Sequence, residues 1–307
     1  MGGVSRVVPD PAFRNVSQLA SWQSAAVALI GGAADAARWV DLGGSSLNGT
    51  WRLDSGRDRY FVKTHAASRL AMLEAEAEGL RELARADAIR VPAPVACGEA
   101  GDRAFLVLEW LDFGGGGRDA ALGEALAKLH RTTVARFGWH RDNTIGTTPQ
   151  HNAWTEEWAT FFRDQRIAPQ LALAARNGCG GRLQRDGERL LLAIPQLLAG
   201  HAPAASLLHG DLWSGNAARL ASGEPVIFDP AVHFGDREAD LAMTELFGGF
   251  RADFHAAYRA AWPLDAGYPV RRALYNLYHV LNHFNLFGGG YGDRAQAMIG
   301  QLLAEAS

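Results

Sequence analysis

The stretch LLHGDLWSGN, residues 207–216, is the most informative part of the 307-residue sequence. Its apolar start is typical of a buried strand, which delivers Asp211, and Asn216 follows five positions later. A second apolar run, residues 226–228, ends at Asp229. In nucleotide-dependent phosphoryl transfer, one carboxylate orients the attacking hydroxyl and accepts its proton. An amide and a second carboxylate hold Mg²⁺ against the phosphates. The spacing therefore predicts a phosphotransferase with Asp211 as base and Asn216 and Asp229 as metal ligands.

A helix earlier in the chain supports this interpretation. At 100° per residue, residues 70–85 place Leu73, Ala77, Leu80 and Ala84 on one apolar stripe. Glu76 falls inside that apolar arc. Because an unpaired buried carboxylate is costly, Glu76 needs a cationic partner, and Lys63 at the end of a strand-like run is the nearest candidate. The alternative is that Glu76 lies at the edge of the stripe and reaches water.

Residues 114–117 are four consecutive glycines, typical of a flexible connector. Short strand-like runs precede them, with a hairpin over residues 50–53 and 59–64. Helical patterns follow, at residues 120–130, 154–175 and 272–287. This contrast predicts an α+β protein with a small antiparallel-sheet lobe over residues 1–111 and a larger, mainly helical lobe over residues 112–307.

Composition excludes several classes of protein. With 48% hydrophobic residues the chain can bury a large core, and a net charge of −3 argues against a nucleic-acid partner. The two cysteines, Cys97 and Cys179, form no CxxC pair, which disfavours a disulfide framework or a thiolate zinc site. The most apolar segment, residues 25–34, is too short to span a bilayer and is expected to be a helix ending near Gly31. We expect a cytoplasmic protein without a membrane partner.

The block HGDLWSGN, the later run IFDPAVHFGDREADLAM and the block TPQHNAW (residues 148–154) together resemble the fructosamine (ketosamine) 3-kinase family. That family shares the protein-kinase-like fold with aminoglycoside phosphotransferases. The similarity extends from about residue 40 to about residue 292. It implies ATP and Mg²⁺ as cofactors and transfer of phosphate to the C3 hydroxyl of a ketosamine, either free or on a glycated protein side chain. Loss of the sugar 3-phosphate then supports deglycation.

The resemblance also implies roles for individual residues. Asp211 is implied as the catalytic base, Asn216 and Asp229 as metal ligands, and Asp240 as a brace for the catalytic loop. Lys63, held by Glu76, is implied to contact the α- and β-phosphates, and the loop of residues 43–49, with Gly43, Gly44, Ser45 and Ser46, is implied to cover the phosphates. The backbone of Glu109, Trp110 and Leu111 is implied to bind adenine. The residues implied to contact the sugar are Asn152, Trp154 and Trp213.

Two departures from protein kinases narrow the substrate. Gly210 stands where protein kinases carry an arginine, and only eleven positions separate Asp229 from Asp240. That spacing leaves no room for a peptide-docking activation segment, so a small molecule or an exposed modified side chain is favoured. The alternatives are a kinase for another hydroxylated amine, such as an aminoglycoside or choline, and a catalytically silent nucleotide-binding module. The sequence does not define the oligomeric state.

Overall fold

The computed structural model describes residues 21–44, 48–114 and 119–307. Ser45, Ser46 and most of the glycine run lie outside these ranges. The chain divides into two compact units. The first consists of residues up to Arg81 together with Pro92–Asp112, and the second of Glu82–Val91 together with Phe113–Ser307.

The first unit is built on one antiparallel sheet of five strands in the order β1-β2-β3-β5-β4. Its elements along the chain are α1 (Trp22–Leu29), β1 (Ala37–Gly44), β2 (Gly49–Ser55), β3 (Asp58–Ala66), α2 (Leu70–Arg85), β4 (Pro94–Ala100) and β5 (Arg103–Glu109). The predicted hairpin is confirmed as β2 and β3. Sequence patterning missed β1 and β4, because neither strand has a regular apolar alternation: β1 ends in two glycines, and β4 contains Pro94 and Gly98.

Helix α1 covers the sheet and closes the core of this unit. Its buried residues Ala25, Ala26 and Val27 pack against Leu53, Val62, Phe105 and Val107 from β2, β3 and β5. Trp22 lies 4.9 Å from Trp39 and 5.6 Å from Trp51, measured between ring centroids. This apolar layer fixes the strand β3 that carries Lys63.

The second unit is mainly helical. Its helices are α3 (Ala120–His130), α4 (Trp158–Phe162), α5 (Ala168–Arg176), α6 (Arg182–Leu197), α7 (Glu238–Leu246), α8 (Ala252–Ala261), α9 (Tyr268–Phe287) and α10 (Tyr291–Glu305). Its strands are β6 (Thr133–Val134), β7 (Asn143–Ile145), β8 (Thr148–Gln150), β9 (Ala205–Leu208), β10 (Ala217–Arg219), β11 (Pro225–Ile227) and β12 (His233–Gly235). They form a sheet in the order β12-β9-β6 and two separate hairpins, β7–β8 and β10–β11.

The helix predicted over residues 120–130 coincides with α3. The helical pattern predicted from residue 154 begins at Trp158 instead, and a π-helical turn at Arg163–Ile167 joins α4 to α5. This turn is the segment that carries Arg166, a buried side chain with 1% exposure. Within the described ranges, none of the helices has the length and hydropathy needed to cross a membrane.

Candidate active site

The loop that carries Asp211 and Asn216, called the catalytic loop below, begins where β9 ends. All four residues of β9 are buried, and the strand pairs with β12 and β6, so the loop starts from a fixed base. The carboxylate of Asp240 accepts hydrogen bonds from the backbone N–H groups of His209, at 2.7 Å, and Gly210, at 2.8 Å. His130 donates from Nε2 to the same carboxylate at 3.2 Å. The prediction that Asp240 braces the catalytic loop is confirmed.

Gly210 is required at its position for two physical reasons. Its φ of +83° is a conformation that other residues rarely adopt. A Cβ atom there would lie 2.1 Å from the carbonyl oxygen of Ala231, well inside van der Waals contact. The glycine that replaces the protein-kinase arginine therefore permits a close approach between the catalytic loop and the segment after Asp229.

Asp211 and Asn216 are held together by the loop itself. Asn216 donates from Nδ2 to the backbone oxygen of Asp211 at 2.9 Å and lies 3.4 Å from its Oδ2. Among the described residues, the Oδ1 atom of Asn216 has no hydrogen-bond partner, so an oxygen is left for a ligand. Asp229, the other predicted metal ligand, is exposed at the end of the β10–β11 hairpin. Oxygen donors from a carboxylate and an amide are what Mg²⁺ prefers, so these residues fit the ion.

Asp229 has a left-handed backbone, with φ of +58°, which is uncommon outside glycine. Hydrogen bonds on its N-terminal side hold this conformation. His209 donates from Nε2 to the oxygen of Phe228 at 2.9 Å, and the N–H of Phe228 donates to the oxygen of Asn216 at 3.0 Å. The segment that ends in Asp229 is therefore tied by hydrogen bonds to the same loop that carries Asp211.

The carboxylates of this unit differ in charge state. Burial, together with the neighbouring charges of Asp229 and Asp240, raises the pKa of Asp211 to about 7, and the hydrogen bond from Asn216 opposes this only in part. Burial also acts on Asp240, but its hydrogen bonds with His130 and Gly210 and the nearby His209 bring its pKa below the usual value. The pKa of Asp211 thus lies near neutral pH, as that of a general base should, whereas Asp240 stays ionised.

In the first unit, Lys63 and Glu76 form the predicted pair. Lys63 donates from Nζ to Oε1 of Glu76 at 2.7 Å, and the two side chains are 14% and 15% exposed. Leu73, Ala77 and Leu80 are buried as the helix phase predicts. Ala84 is exposed, since the helix ends one residue later. The pair is confirmed, and a strand-borne lysine is held in one place.

The glycine loop begins differently from the prediction. Gly43 and Gly44 are the last residues of β1, at φ of +119° and +115°, so they belong to a strand and not to a loop. A Cβ on Gly44 would lie 2.2 Å from the oxygen of Asn48, so the two strands approach too closely there for another residue. The predicted contacts of Ser45 and Ser46 lie outside the described residues.

The segment predicted to bind adenine follows β5 directly. The N–H of Glu109 donates to the oxygen of Ala93 at 2.9 Å, so this N–H is already bonded within the first unit. Of the residues the structure describes, none forms a backbone hydrogen bond with Trp110 or Leu111. These two residues therefore retain main-chain donors and acceptors of the kind that a base edge needs.

The three predicted sugar contacts have very different surroundings. Trp213, beside Asp211, is 41% exposed, and its ring lies so close over Gly215 that a Cβ there would be 2.2 Å from it. Trp154 is half-buried and stacks on Phe234 at 6.2 Å. Asn152 is 1% exposed, and its amide is already bonded within the protein. A sugar contact of Asn152 stays a prediction, and its burial counts against it.

Sequence reasoning missed a buried polar network around Asn152. Asn143, Gln150 and Arg166 are 9%, 1% and 1% exposed, and Arg166 donates to Oδ1 of Asn152 at 2.7 Å. Burial lowers the pKa of Arg166 to about 10, so the guanidinium remains charged at neutral pH. The signal in the sequence is the presence of three amide side chains, Asn143, Gln150 and Asn152, within ten residues, of which the resemblance implies a role only for Asn152.

An antiparallel-sheet unit, a helical unit and a strand-end carboxylate followed by an amide define a kinase-like phosphotransferase. The fold agrees with solved structures: an aminoglycoside phosphotransferase bound to ADP and hygromycin B superposes with a TM-score of 0.60 at 15% identity, over 92% of this chain and 98% of that one. A Thermobifida fusca crystal structure described as a candidate fructosamine-3-kinase gives a TM-score of 0.82 at 31% identity, over 93% and 99% of the two chains.

Sequence relatives narrow the class. A Synechocystis protein named probable ketoamine kinase is 49% identical over 85% of this chain and 89% of its own length. The Arabidopsis thaliana chloroplastic protein-ribulosamine 3-kinase is 40% identical over 85% of this chain and 81% of its own. The fructosamine kinase family model matches residues 21–305. The chain belongs to the fructosamine kinase family.

Proposed function

We propose that this enzyme transfers the γ-phosphoryl group of ATP to the C3 hydroxyl of a ketosamine, the sugar adduct formed when an amine is glycated. Membership in the fructosamine kinase family defines the class of reaction. The observation that supports the chemistry is the arrangement of Asp211 and Asn216, in which a carboxyl of raised pKa lies beside an amide oriented by its own loop.

Asp211 acts as the general base. A group with a pKa near 7 is partly ionised at neutral pH and can still accept a proton from a hydroxyl as that hydroxyl attacks phosphorus. Asn216 keeps the Asp211 loop in place through its Nδ2 bonds. Asp240 holds the backbone that precedes Asp211, so the base has a fixed position from which to meet the acceptor.

Asn216, through Oδ1, and Asp229 would hold Mg²⁺, which neutralises phosphate charge when it is bound. Lys63, fixed by Glu76, supplies a positive charge for the α- and β-phosphates of ATP, and the free backbone groups of Trp110 and Leu111 accept the adenine edge.

The exposed indole of Trp213 is a platform for the sugar beside the base. A hydroxyl must come within about 2.6–3.2 Å of the Asp211 carboxylate, so the acceptor enters sugar-first and its amine substituent points outward. This geometry accepts free ketosamines and glycated protein side chains alike. Phosphate at C3 is a good leaving group, and its loss frees the amine.

The test measures ADP release over a panel of fructosyl, ribulosyl and erythrulosyl amines, with an aminoglycoside and choline as rival acceptors. Phosphorus NMR of the product locates the phosphate. We expect turnover on at least one ketosamine, phosphate on C3, and no turnover with the Asp211→Asn variant. Phosphorylation of the aminoglycoside or choline alone would contradict the substrate assignment and leave the phosphoryl-transfer chemistry standing.

A further inference from the structure

We infer that Gln150, in the β7–β8 hairpin, is a positioning residue that sets the metal-side carboxylate Asp229 against the base Asp211; the inference rests on the metal role given to Asp229 in the proposed function. The contacts that carry it lie within the second unit. They connect three segments that are distant in sequence: the β7–β8 hairpin, the catalytic loop and the stretch that follows Asp229.

Ala231 is the point at which these segments meet. Its N–H donates to the oxygen of His209 at 2.8 Å, and its own oxygen lies against Gly210, which has to be glycine for that reason. Ala231 is 2% exposed and stands two residues after Asp229. Any shift of Ala231 therefore moves Asp229 relative to the loop that bears Asp211.

Gln150 holds that point from the other side. It donates from Nε2 to the oxygen of Ala231 at 3.1 Å and to Oδ1 of Asn143 at 2.8 Å. Asn143 in turn donates from Nδ2 to the oxygen of Val232 at 2.8 Å. The side-chain amides of Gln150 and Asn143, both in the β7–β8 hairpin, thus donate to the carbonyl groups of two successive residues, Ala231 and Val232. These bonds hold the segment after Asp229 in place.

The orientation of the Gln150 amide is itself fixed. Tyr278 of α9 donates to Oε1 of Gln150 at 2.7 Å, which leaves both Nε2 hydrogens for Ala231 and Asn143. Gln150 is 1% exposed, so each of these bonds is made away from water and is costly to leave unmade.

Asp229 needs such support because of its backbone. A left-handed φ on a non-glycine residue, followed by Pro230, is unfavourable unless the surroundings enforce it. The bonds to Phe228 hold the side before Asp229, and the bonds from Gln150 and Asn143 hold the side after it. With the second set removed, the backbone after Asp229 loses two of the hydrogen bonds that fix its path, and Asp229 shifts relative to Asp211.

The test uses the full-length protein and the Gln150→Leu variant, which keeps the side-chain volume and removes both donors. Titration calorimetry measures the affinity for a non-hydrolysable ATP analogue with and without Mg²⁺. We expect Gln150→Leu to lose about tenfold of the Mg²⁺-dependent gain in affinity, while the metal-free affinity stays unchanged. In steady-state kinetics we expect kcat to fall and the ketosamine KM to stay unchanged.

Gln184→Leu is the matched control. Gln184 also donates to two backbone oxygens, of Leu171 at 3.1 Å and Cys179 at 2.9 Å, but in helices α5 and α6 and their connection. Its substitution should cost stability and leave the Mg²⁺ dependence intact. Should Gln150→Leu fail to fold, Tyr278→Phe removes only the bond that orients the amide, with an expected two- to threefold loss of the Mg²⁺-dependent gain.

Wild-type Mg²⁺ dependence in Gln150→Leu, or in Tyr278→Phe where that variant stands in, overturns the inference, as does an equal loss in Gln184→Leu. A wild-type protein whose nucleotide affinity is the same with and without Mg²⁺ contradicts instead the metal assignment of the proposed function. The wild-type nucleotide affinity with and without Mg²⁺ therefore distinguishes a failure of this inference from a failure of the metal assignment.

Discussion

The first unit and the second unit treat buried charge in opposite ways. In the first, Lys63 and Glu76 neutralise each other at 2.7 Å, and both side chains are mostly buried. In the second, burial raises the pKa of Asp211 to about 7, and the like charges of the nearby Asp229 and Asp240 add to this effect. One region has a matched pair of charges, and the other has an excess of negative charge around the proposed base.

The difference follows from what each region has to bind. A mostly buried pair of opposite charges holds a lysine in place, which suits a group that must meet a nucleotide in one geometry. A cluster with surplus negative charge is unfavourable alone and becomes favourable when cations arrive, which suits a site for Mg²⁺. Under the proposed function, the first region positions a lysine for the nucleotide, and the second binds a cation and accepts a proton.

The largest expected effect comes from removing the base. Asp211→Asn should lower kcat by about 10²–10⁴-fold, because the hydroxyl then lacks a proton acceptor. Affinity for the ATP analogue should change little, since the base faces the acceptor. Steady-state kinetics with a ketosamine and titration calorimetry with the nucleotide separate the two effects.

Asp229→Asn serves as the comparison variant in the same unit. It should weaken binding of the Mg²⁺–nucleotide complex itself, because a proposed metal ligand is altered. Full turnover by Asp211→Asn would remove the base assignment, whatever the behaviour of Asp229→Asn.

The next effect tests the first unit. Glu76→Gln should lower kcat/KM by about 30- to 1000-fold, corresponding to about 2–4 kcal/mol, because Lys63 loses its partner in a mostly buried site. Glu82→Gln is the control on the same helix. Its bond to Arg85 at 2.9 Å involves an arginine that is 71% exposed, so its loss should change kcat/KM little. Equal effects of the two substitutions would show that the pair has no special role.

The Lys63–Glu76 pair was predictable because helical periodicity is a local property of the sequence. The spacing of apolar residues over residues 70–85 placed Glu76 on an apolar face, and the cost of burying a charge then required a cation. The carboxylates of the second unit were predictable for a similar reason, since strand ends and short spacings are visible in the chain.

The buried amide network was not predictable from the same information. Gln150 bonds Ala231, 81 positions later, and Tyr278, 128 positions later, and no periodicity encodes such pairings. The resemblance implies a sugar contact for Asn152, whereas tertiary packing leaves its side chain 1% exposed. Strands β1 and β4 were missed because sheet pairing, and not local propensity, determines them.

A smaller effect compares the stability of the two regions. A raised native pKa means that the native carboxyl of Asp211 holds its proton more tightly than the unfolded chain does. The stability from this group is present below pH 4 and is lost as pH rises through about 7. In metal-free buffer, Asp211→Asn should therefore gain Tm relative to wild type at pH 8, and the difference should narrow towards pH 4.

Neutralising Glu76 should act in the opposite direction. Glu76→Gln leaves Lys63 without its partner in a mostly buried place, so Tm at pH 8 should fall. Thermal unfolding followed by circular dichroism at several pH values measures both variants. A Tm difference for Asp211→Asn that does not change between pH 4 and pH 8 would contradict the raised pKa.

The smallest expected effects concern the acceptor, where the exposed Trp213 contrasts with the buried Asn152. An aromatic stack contributes about 0.5–1.5 kcal/mol, so Trp213→Ala should raise the ketosamine KM by about 2- to 10-fold and leave the KM for ATP unchanged. Trp154→Ala is expected to raise the ketosamine KM as well, by less, because its ring already stacks on Phe234.

Asn152→Ala separates the two possible roles of Asn152. If Asn152 holds the sugar, the ketosamine KM rises while Tm is kept. If it supports Arg166 and Asn143, as its bonds at 2.7 and 2.9 Å favour, Tm falls and the KM stays near wild type. Normal ketosamine KM values in all three variants would place the sugar against other residues than these.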